Sequence, residues 1–363
     1  MDHSRRMGAL RRKLNRAGLS GLLVTHLSDI RYLAGFTGSS AALAVTRYQA
    51  RLFTDGRYRA QAAEEVQAAK VDIVSGAPAV AAVQWIAAQP KVDSVGFDAA
   101  IVTVAELNRW KCALPARLRR SLLKAADEPL VQDLRMVKDE EELAILREAA
   151  LTGCRLFDHI LTVLRPGVSE IEVAAELEYQ ARRLGAEGMS FETIVASGMR
   201  SAMPHGRATS NPLPRRGFLT LDFGIILRGY CSDMTRTVFL GSPKAGERSA
   251  YQAVLEAQET AVAAVSAGVS CGDVDEAARG ILRGYGLADA FTHSTGHGVG
   301  LEIHEPPRVG AGQATRLQAG MVITIEPGIY TPGKFGIRIE DMVAVTRGGG
   351  EVLTPAPKAL IEL

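Results

Sequence analysis

Cysteine is scarce in this chain, and its placement suggests no shared task. Cys112, Cys154, Cys231 and Cys271 are the four cysteines among 363 residues, and no two form a C-x-x-C pair. That spacing argues against a zinc ribbon or a disulfide framework and leaves reduced thiols as the expectation. Aromatic residues are also few, 6% of the chain. No dense Lys/Arg run is interleaved with them, so nucleic acid is not an expected partner. Long apolar runs are missing as well. The longest uncharged stretch near the front, Tyr32 to Thr46, is too short and too rich in Gly, Ser and Thr to span a bilayer. Met1-Asp2-His3-Ser4-Arg5-Arg6 leads into a charged helix without the apolar core of a secretory signal. A cytoplasmic protein that does not associate with membranes is expected.

What is present is ordinary for a globular protein: 47% hydrophobic and 23% charged residues. The length exceeds one ordinary core, so about two domains are expected. The net charge of +2 is unevenly spread. Residues 1–125 hold nineteen Lys and Arg against nine Asp and Glu, and the remainder holds 23 against 31. A solvated basic surface explains this, as does a basic domain facing an acidic site. In the first part, strands are expected at residues 21–25, 41–46, 50–54, 71–74 and 94–97. Helices are expected at about 4–17, 57–69 and 80–88. This alternation predicts an α/β N-terminal domain with a largely mixed sheet. Asp127-Glu128-Pro129 interrupts the pattern, which places the domains at 1–128 and 129–363. Beyond the break, helices are expected at about 138–164, 169–185, 247–267 and 274–285, the second opening on the capping-box pair Ser169 and Glu172.

The second part repeats itself. Gly167-Val168-Ser169 and Val173 match Gly268-Val269-Ser270 and Val274, an offset of 101. Further on, Thr220-Leu221-Asp222-Phe223-Gly224 resembles Thr324-Ile325-Glu326-Pro327-Gly328, an offset of 104. Two matches at nearly one offset predict a pseudo-twofold α+β domain. Its halves would meet at a junction, with Asp222 and Asp233 from one half and Glu326 and Glu340 from the other.

Those four acids stand in apolar, strand-like frames, where charged residues are rare unless paired or bound to metal. Each pair is expected on a hairpin, with Asp233 brought opposite Asp222 and with Glu326 and Glu340 flanking a turn at Thr331-Pro332-Gly333. Converging anions would repel strongly. Two divalent cations would balance them, with His297 as a fifth protein ligand. Such a hard, oxygen-rich set favours Mn²⁺, Fe²⁺ or Co²⁺ over thiolate-bound zinc, and a water bridging the two ions would lose a proton near neutral pH. Thr235, Thr324 and Arg338 are candidates for fixing the ligands. His293, His297 and His304 fall within twelve glycine-rich residues, and His205 sits in the loop Met203-Pro204-His205-Gly206. Both settings suit function better than core packing.

Taken together, Leu221-Asp222-Phe223-Gly224, Ser232-Asp233-Met234-Thr235-Arg236-Thr237, the 293–304 segment, Ile325-Glu326-Pro327-Gly328 and Arg338-Ile339-Glu340-Asp341 resemble the metal-dependent Xaa-Pro peptidases of the pita-bread fold, the family of aminopeptidase P and prolidase. The resemblance implies a pita-bread catalytic domain behind the N-terminal α/β domain, and hydrolysis of proline-containing peptides before proline. It implies two divalent ions, manganese foremost, with Co²⁺, Fe²⁺ or Zn²⁺ as alternatives. It makes Asp222, Asp233, His297, Glu326 and Glu340 the metal ligands, with Asp233 and Glu340 bridging and Glu326 also the general base. His205 and His304 resemble the substrate-facing histidines, His293 and Arg338 supporting residues, and Arg308 a substrate-contacting arginine. It also implies a homodimer. Segments 32–39 and 54–58 resemble aminopeptidase P and favour release of an N-terminal residue. A dipeptidase is the alternative, and a non-catalytic pita-bread binding module a distant one. A creatinase-like hydrolase conflicts with the intact ligand set, and a methionine aminopeptidase with the full N-terminal domain.

Overall fold

A computed structural model of the chain describes residues 1–126 and 128–363. Asp127, part of the expected domain break, lies outside the described residues. Two compact units divide between Arg135 and Met136, a little downstream of the expected boundary after residue 128.

In the first unit, α1 (His3–Arg16) precedes β1 (Gly21–Val24), α2 (Leu27–Ala34), β2 (Ala41–Thr46) and β3 (Ala50–Asp55). Then come α3 (Arg59–Glu65), β4 (Lys70–Val74), α4 (Pro78–Ala87), β5 (Val95–Phe97), α5 (Val104–Ala113) and β6 (Leu123–Ala125). The six strands form one sheet in the order β4-β3-β2-β1-β5-β6. It is mixed, as expected: β1 runs antiparallel to β2 and parallel to β5. Leu23, Ala44, Phe53, Val83, Ile86, Phe97 and Trp110 fill its core. Two helices escaped the sequence reading, α2 and α5, although Thr103 and Glu106 form a capping box at the start of α5. The helix expected at 57–69 is shorter, because Asp55 caps a single 3₁₀ turn at Gly56–Tyr58 before α3 begins.

The short helix α6 (Gln132–Met136) runs through the division and leads to the second unit. Lys138 is not helical, because Asp139 caps α7 (Glu140–Leu161) through a box with Glu142. The helix expected from residue 138 therefore starts two residues late. Then follow α8 (Glu170–Arg183), β7 (Gly188–Met189), β8 (Ile194–Ser197), β9 (Gly217–Phe223), β10 (Ile225–Leu227), β11 (Tyr230–Cys231) and β12 (Met234–Leu240). The second half supplies α9 (Ala245–Ala264), α10 (Cys271–Gly284), β13 (Gly296–Gly298), β14 (Glu305–Val309), β15 (Val322–Ile325), β16 (Gly328–Thr331), β17 (Phe335–Arg338), β18 (Asp341–Val345) and β19 (Gly350–Val352).

Each half packs a helix pair on a sheet. Leu156, Phe157 and Ile160 of α7 and Val173 and Leu177 of α8 bury against Leu219, Leu221 and Phe223 of β9. Val254, Ala257 and Ala261 of α9 and Val274 and Leu282 of α10 bury against Ile323, Ile325 and Val343. The sequence echo is a structural one. Gly167 and Gly268 are both left-handed, at φ 94° and 96°, a conformation that favours glycine. Ser169 and Ser270 cap the helices that follow. Gly167 N–H donates to Leu213 O and Gly268 N–H to Leu317 O, so the 104-residue offset holds for the acceptors too. The result is a pseudo-twofold α+β domain.

The two halves are joined by a buried cation. Arg236 on β12 is 1% exposed and pairs at 2.8 Å with Asp341 of β18, itself fully buried. Arg236 also donates to the carbonyls of Thr354, Ala356 and Pro357. Thr354, Gln258 and Lys358 donate to Asp341. Burial alone would raise the Asp341 carboxyl, but the charges of Arg236 and Lys358 hold it below the ordinary carboxylate range. Removing one partner of a buried pair strands the other. Arg236→Met is therefore expected to cost the second unit about 3–5 kcal/mol of unfolding free energy, measured by denaturant titration. Arg248→Met, which breaks the exposed pair with Glu362, is expected to leave that titration unchanged.

Candidate metal centre

The four acids and the imidazole reach one seam by different local devices. Asp222 lies on β9, whose neighbours Leu219, Leu221 and Phe223 point to the core, so alternation turns Asp222 the other way. Asp233 stands just before β12. In the β9–β12 ladder the residue opposite Asp222 is Thr235, so Asp233 is not directly across from it as expected. The pair is diagonal, because the β10–β11 excursion lies between the strands. Glu326 and Glu340 do flank a hairpin, β16–β17, whose turn holds Pro332 and Gly333. They also sit where the chain leaves one sheet for another: Ile325 pairs with Asp341 on one side and Gly328 with Arg338 on the other. At this gap the backbone turns elsewhere for partners. Glu326 N–H donates to Thr295 O at 2.7 Å and Glu340 N–H to Thr235 O at 3.1 Å. His297 comes from β13. A Cβ at the preceding Gly296 would lie 1.9 Å from Thr324 O, so glycine is what lets β13 close on β15.

The ligand atoms converge. Those of Asp233, His297 and Glu340 lie within 4.8 Å of one another. His297 Nε2 is 3.6 Å from Asp233 Oδ2 and 3.5 Å from Glu326 Oε1. Its Nδ1 lies 3.0 Å from Gly298 O, which assigns the proton to Nδ1 and turns the Nε2 lone pair toward the acids. Burial, chiefly, lowers the His297 pKa to about 4, so the ring is neutral at pH 7. Burial, and then mutual repulsion among the acids, pushes Asp233 and Glu340 well above the ordinary carboxylate range. Glu326 is pushed up to about 8, with burial the main cause, Arg338 opposing it and Asp222 adding to it. Asp222 Oδ1 is buried without a hydrogen-bond partner. A stranded buried acceptor, a lone pair facing carboxylates and acids held protonated by one another are what a cation would resolve. The donor set fits divalent metal.

Arg338 threads through the cluster. Its Nη2 pairs with Asp222 Oδ2 at 2.5 Å, its Nε donates to Thr235 Oγ1 at 3.1 Å, and its Nη1 donates to Tyr330 Oη at 2.6 Å and to Pro204 O at 3.2 Å. Thr235 passes the contact on, donating to Glu340 Oε2 at 2.7 Å. Thr324 accepts from His297 N–H and donates to Glu326 Oε1. Tyr330 Oη lies 3.0 Å from His293 Nε2, and His293 Nδ1 lies 2.8 Å from Ser294 O. His293 is buried enough for its pKa to fall to about 4, so it accepts from the tyrosine. Tyr330 escaped the sequence reading, since an aromatic in a strand reads as core. The usable signal was spacing: Tyr330 is two residues from Gly328, which pairs with Arg338, so tyrosine and arginine share a face.

The other expected residues surround this centre. The exposed His304 ring meets His297 edge-on at 4.5 Å between centroids. His205 is exposed, one residue from the carbonyl that Arg338 holds. Arg308 stands opposite His297 in the β13–β14 ladder. Its side chain is exposed and makes no hydrogen bond or ion pair among the described residues. No helix among the described residues is long and apolar enough to cross a membrane.

The chain is similar to known proteins along nearly its whole length. Residues 144–347 match metallopeptidase family M24, and residues 6–137 match the creatinase/prolidase N-terminal domain. An uncharacterized peptidase of Bacillus subtilis is 38% identical over 354 residues, covering 98% of this chain and 99% of the relative. Among solved structures, an Xaa-Pro dipeptidase from Bacillus anthracis superposes with a TM-score of 0.94 at 39% identity over the whole of both chains. An X-Pro aminopeptidase from Thermotoga maritima gives 0.88 at 35% identity, covering 97% of this chain and all of that one.

Thr235 is fully buried and serves both Glu340 and Arg338. Thr235→Val removes both contacts without changing volume much. Cation affinity is expected to fall about 10- to 100-fold, measured by calorimetric titration of the metal-free protein.

Proposed function

The chain belongs to metallopeptidase family M24, and from that premise we propose that it is an Xaa-Pro dipeptidase, hydrolysing the bond before a C-terminal proline. The observation that carries the dipeptide reading is Arg308, an exposed cation opposite His297 with no partner among the described residues. A dipeptide carries its free carboxylate one residue beyond the scissile carbonyl, and an unpaired guanidinium suits such a group. The Bacillus anthracis likeness supports the same reading.

We assign Asp222, Asp233, His297, Glu326 and Glu340 to hold two divalent ions, with manganese suited to the hard donor set. Such ions, when bound, polarise a carbonyl and acidify a water. The protein's own residues divide the remaining work. Glu326 takes the proton from the attacking water. An X–Pro amide nitrogen has no N–H and must gain a proton to leave, and His205 and His304 are assigned to supply it and to steady the developing oxyanion. Arg338, bound at once to Asp222, Tyr330 and Thr235, keeps Asp222 and His293 in register. The N-terminal α/β domain is assigned to residues 1–128 and the catalytic domain to 129–363.

A second reading, release of the first residue from longer peptides, is favoured by the Thermotoga maritima likeness and by segments 32–39 and 54–58. Two measurements separate them. Chelation is expected to abolish cleavage of Xaa-Pro substrates and Mn²⁺ to restore it; full activity after chelation would reject the metal assignment. On one preparation, dipeptides are expected to outperform Xaa-Pro-Yaa tripeptides in kcat/KM. Arg308→Met is expected to raise KM for the dipeptide roughly 10- to 100-fold and to leave the tripeptide unaffected. A preference for tripeptides would move the assignment to an aminopeptidase.

A further inference from the structure

A second buried carboxylate, outside the metal centre, holds the loop that carries His205. Glu170 is the first residue of α8 and is fully buried. Its Oε1 accepts from Ser197 N–H and Ser197 Oγ, both at 2.8 Å. Its Oε2 accepts from Thr209 N–H at 3.1 Å, from Thr209 Oγ1 at 2.7 Å and from Arg200 Nε at 3.0 Å. Ser197 ends β8 and Thr209 lies twelve residues on. One side chain therefore closes the neck of the whole 198–208 loop. Arg200 reaches across that loop to Arg207 O at 2.5 Å. The far side is tied down separately: Ser201 Oγ accepts from Gly336 N–H, and Arg338 donates to Pro204 O. His205 is exposed, next to one of these fixed points.

The other half has a matching device. Asp275 of α10, 1% exposed, accepts from Thr295 N–H at 3.1 Å and Thr295 Oγ1 at 2.7 Å, and pairs with Arg279 at 2.6 Å. Arg279 donates to Phe291 O and His293 O. In each half, then, a buried acid on the second helix takes both the N–H and the hydroxyl of residues flanking a loop, two residues at Glu170 and one at Asp275, and its arginine donates to backbone carbonyl oxygen of that loop. The two acids are not equivalent in the sequence echo, since Asp275 corresponds to Ala174 at the 101-residue offset. The halves reached the same solution from different helix positions.

We propose that Glu170 is a positioning residue for His205, fixing where the imidazole meets substrate as Asp275 does for the loop of His293. The inference rests on the assignment of His205 to the substrate. Glu170→Gln keeps the shape but turns an amide N–H₂ toward groups that themselves donate. In the metal-free protein, amide exchange of residues 197–209 is expected to quicken while residues 291–297 stay protected. Metal stoichiometry stays as in the parent. With an Xaa-Pro dipeptide, kcat is expected to fall about 10- to 100-fold with little change in KM, the size of effect that a small misplacement produces. In a His205→Asn background the same change is expected to alter kcat less than about twofold, because the positioned group is gone. An equal fall in both backgrounds, or unchanged exchange at 197–209, overturns the proposal. If His205→Asn by itself leaves kcat intact, the assignment of His205 fails and the proposal falls with it. Should Glu170→Gln fail to fold, Thr209→Val opens one side of the neck, leaves the Arg200 pair in place and carries the same cycle.

Discussion

Negative charge crowded into a buried seam is the constraint around which the second unit is organised. Four carboxylates face one another with Arg338 threaded among them, and one cation cannot balance four anions. The imbalance appears in the structure as acids pushed toward their protonated forms and as a stranded oxygen on Asp222. Such a site is costly for a bare protein and favourable for one holding divalent ions. The surrounding groups are arranged to keep that cost from distorting the fold. Thr235 and Thr324 each touch two members of the cluster, and Arg236 and Asp341 fasten together the strands that begin just after Asp233 and Glu340.

The pseudo-twofold architecture explains how the crowding is achieved. Two helix-on-sheet halves each contribute acids at a strand end, and the junction between them supplies the seam. In the second half the ladder is interrupted where Glu326 and Glu340 occur, so these side chains are aimed by a change of sheet and not by pleat alone. In the first half the β10–β11 excursion does the equivalent work and sets Asp233 diagonally to Asp222.

Much of this was legible in the residues themselves. Asp222 and Glu326 betray themselves as charges at the ends of apolar runs, and the paired Gly-Val-Ser segments give away the repeat. Register was less legible: Asp233 looked like the partner across from Asp222, but Ile225–Cys231 forms strands of its own and Thr235 takes that place. Tyr330 was hidden because a buried aromatic on a strand is indistinguishable from core until its hydroxyl is seen between His293 and Arg338. Glu170 was hidden by its position, since an acid in a first helical turn reads as a complement to the helix dipole. Only the fold reveals that it holds a loop 27 to 39 residues away. Helix α2 gave no clear signal, being only eight residues long, with its last three inside the uncharged stretch that begins at Tyr32.

The strap formed by residues 354–358 carries a consequence for how the molecule comes into being. Arg236 is satisfied by carbonyls of Thr354, Ala356 and Pro357, and further on Leu363 N–H donates to Phe239 O. During translation, β12 emerges with Asp233 more than a hundred residues before those acceptors exist. Until Asp341 and then the strap are made, Arg236 lacks its buried anion and three of its carbonyl acceptors. Assembly of the seam is thus a late event in biosynthesis, and a nascent polypeptide interrupted before Thr354 lacks three of the acceptors that satisfy Arg236.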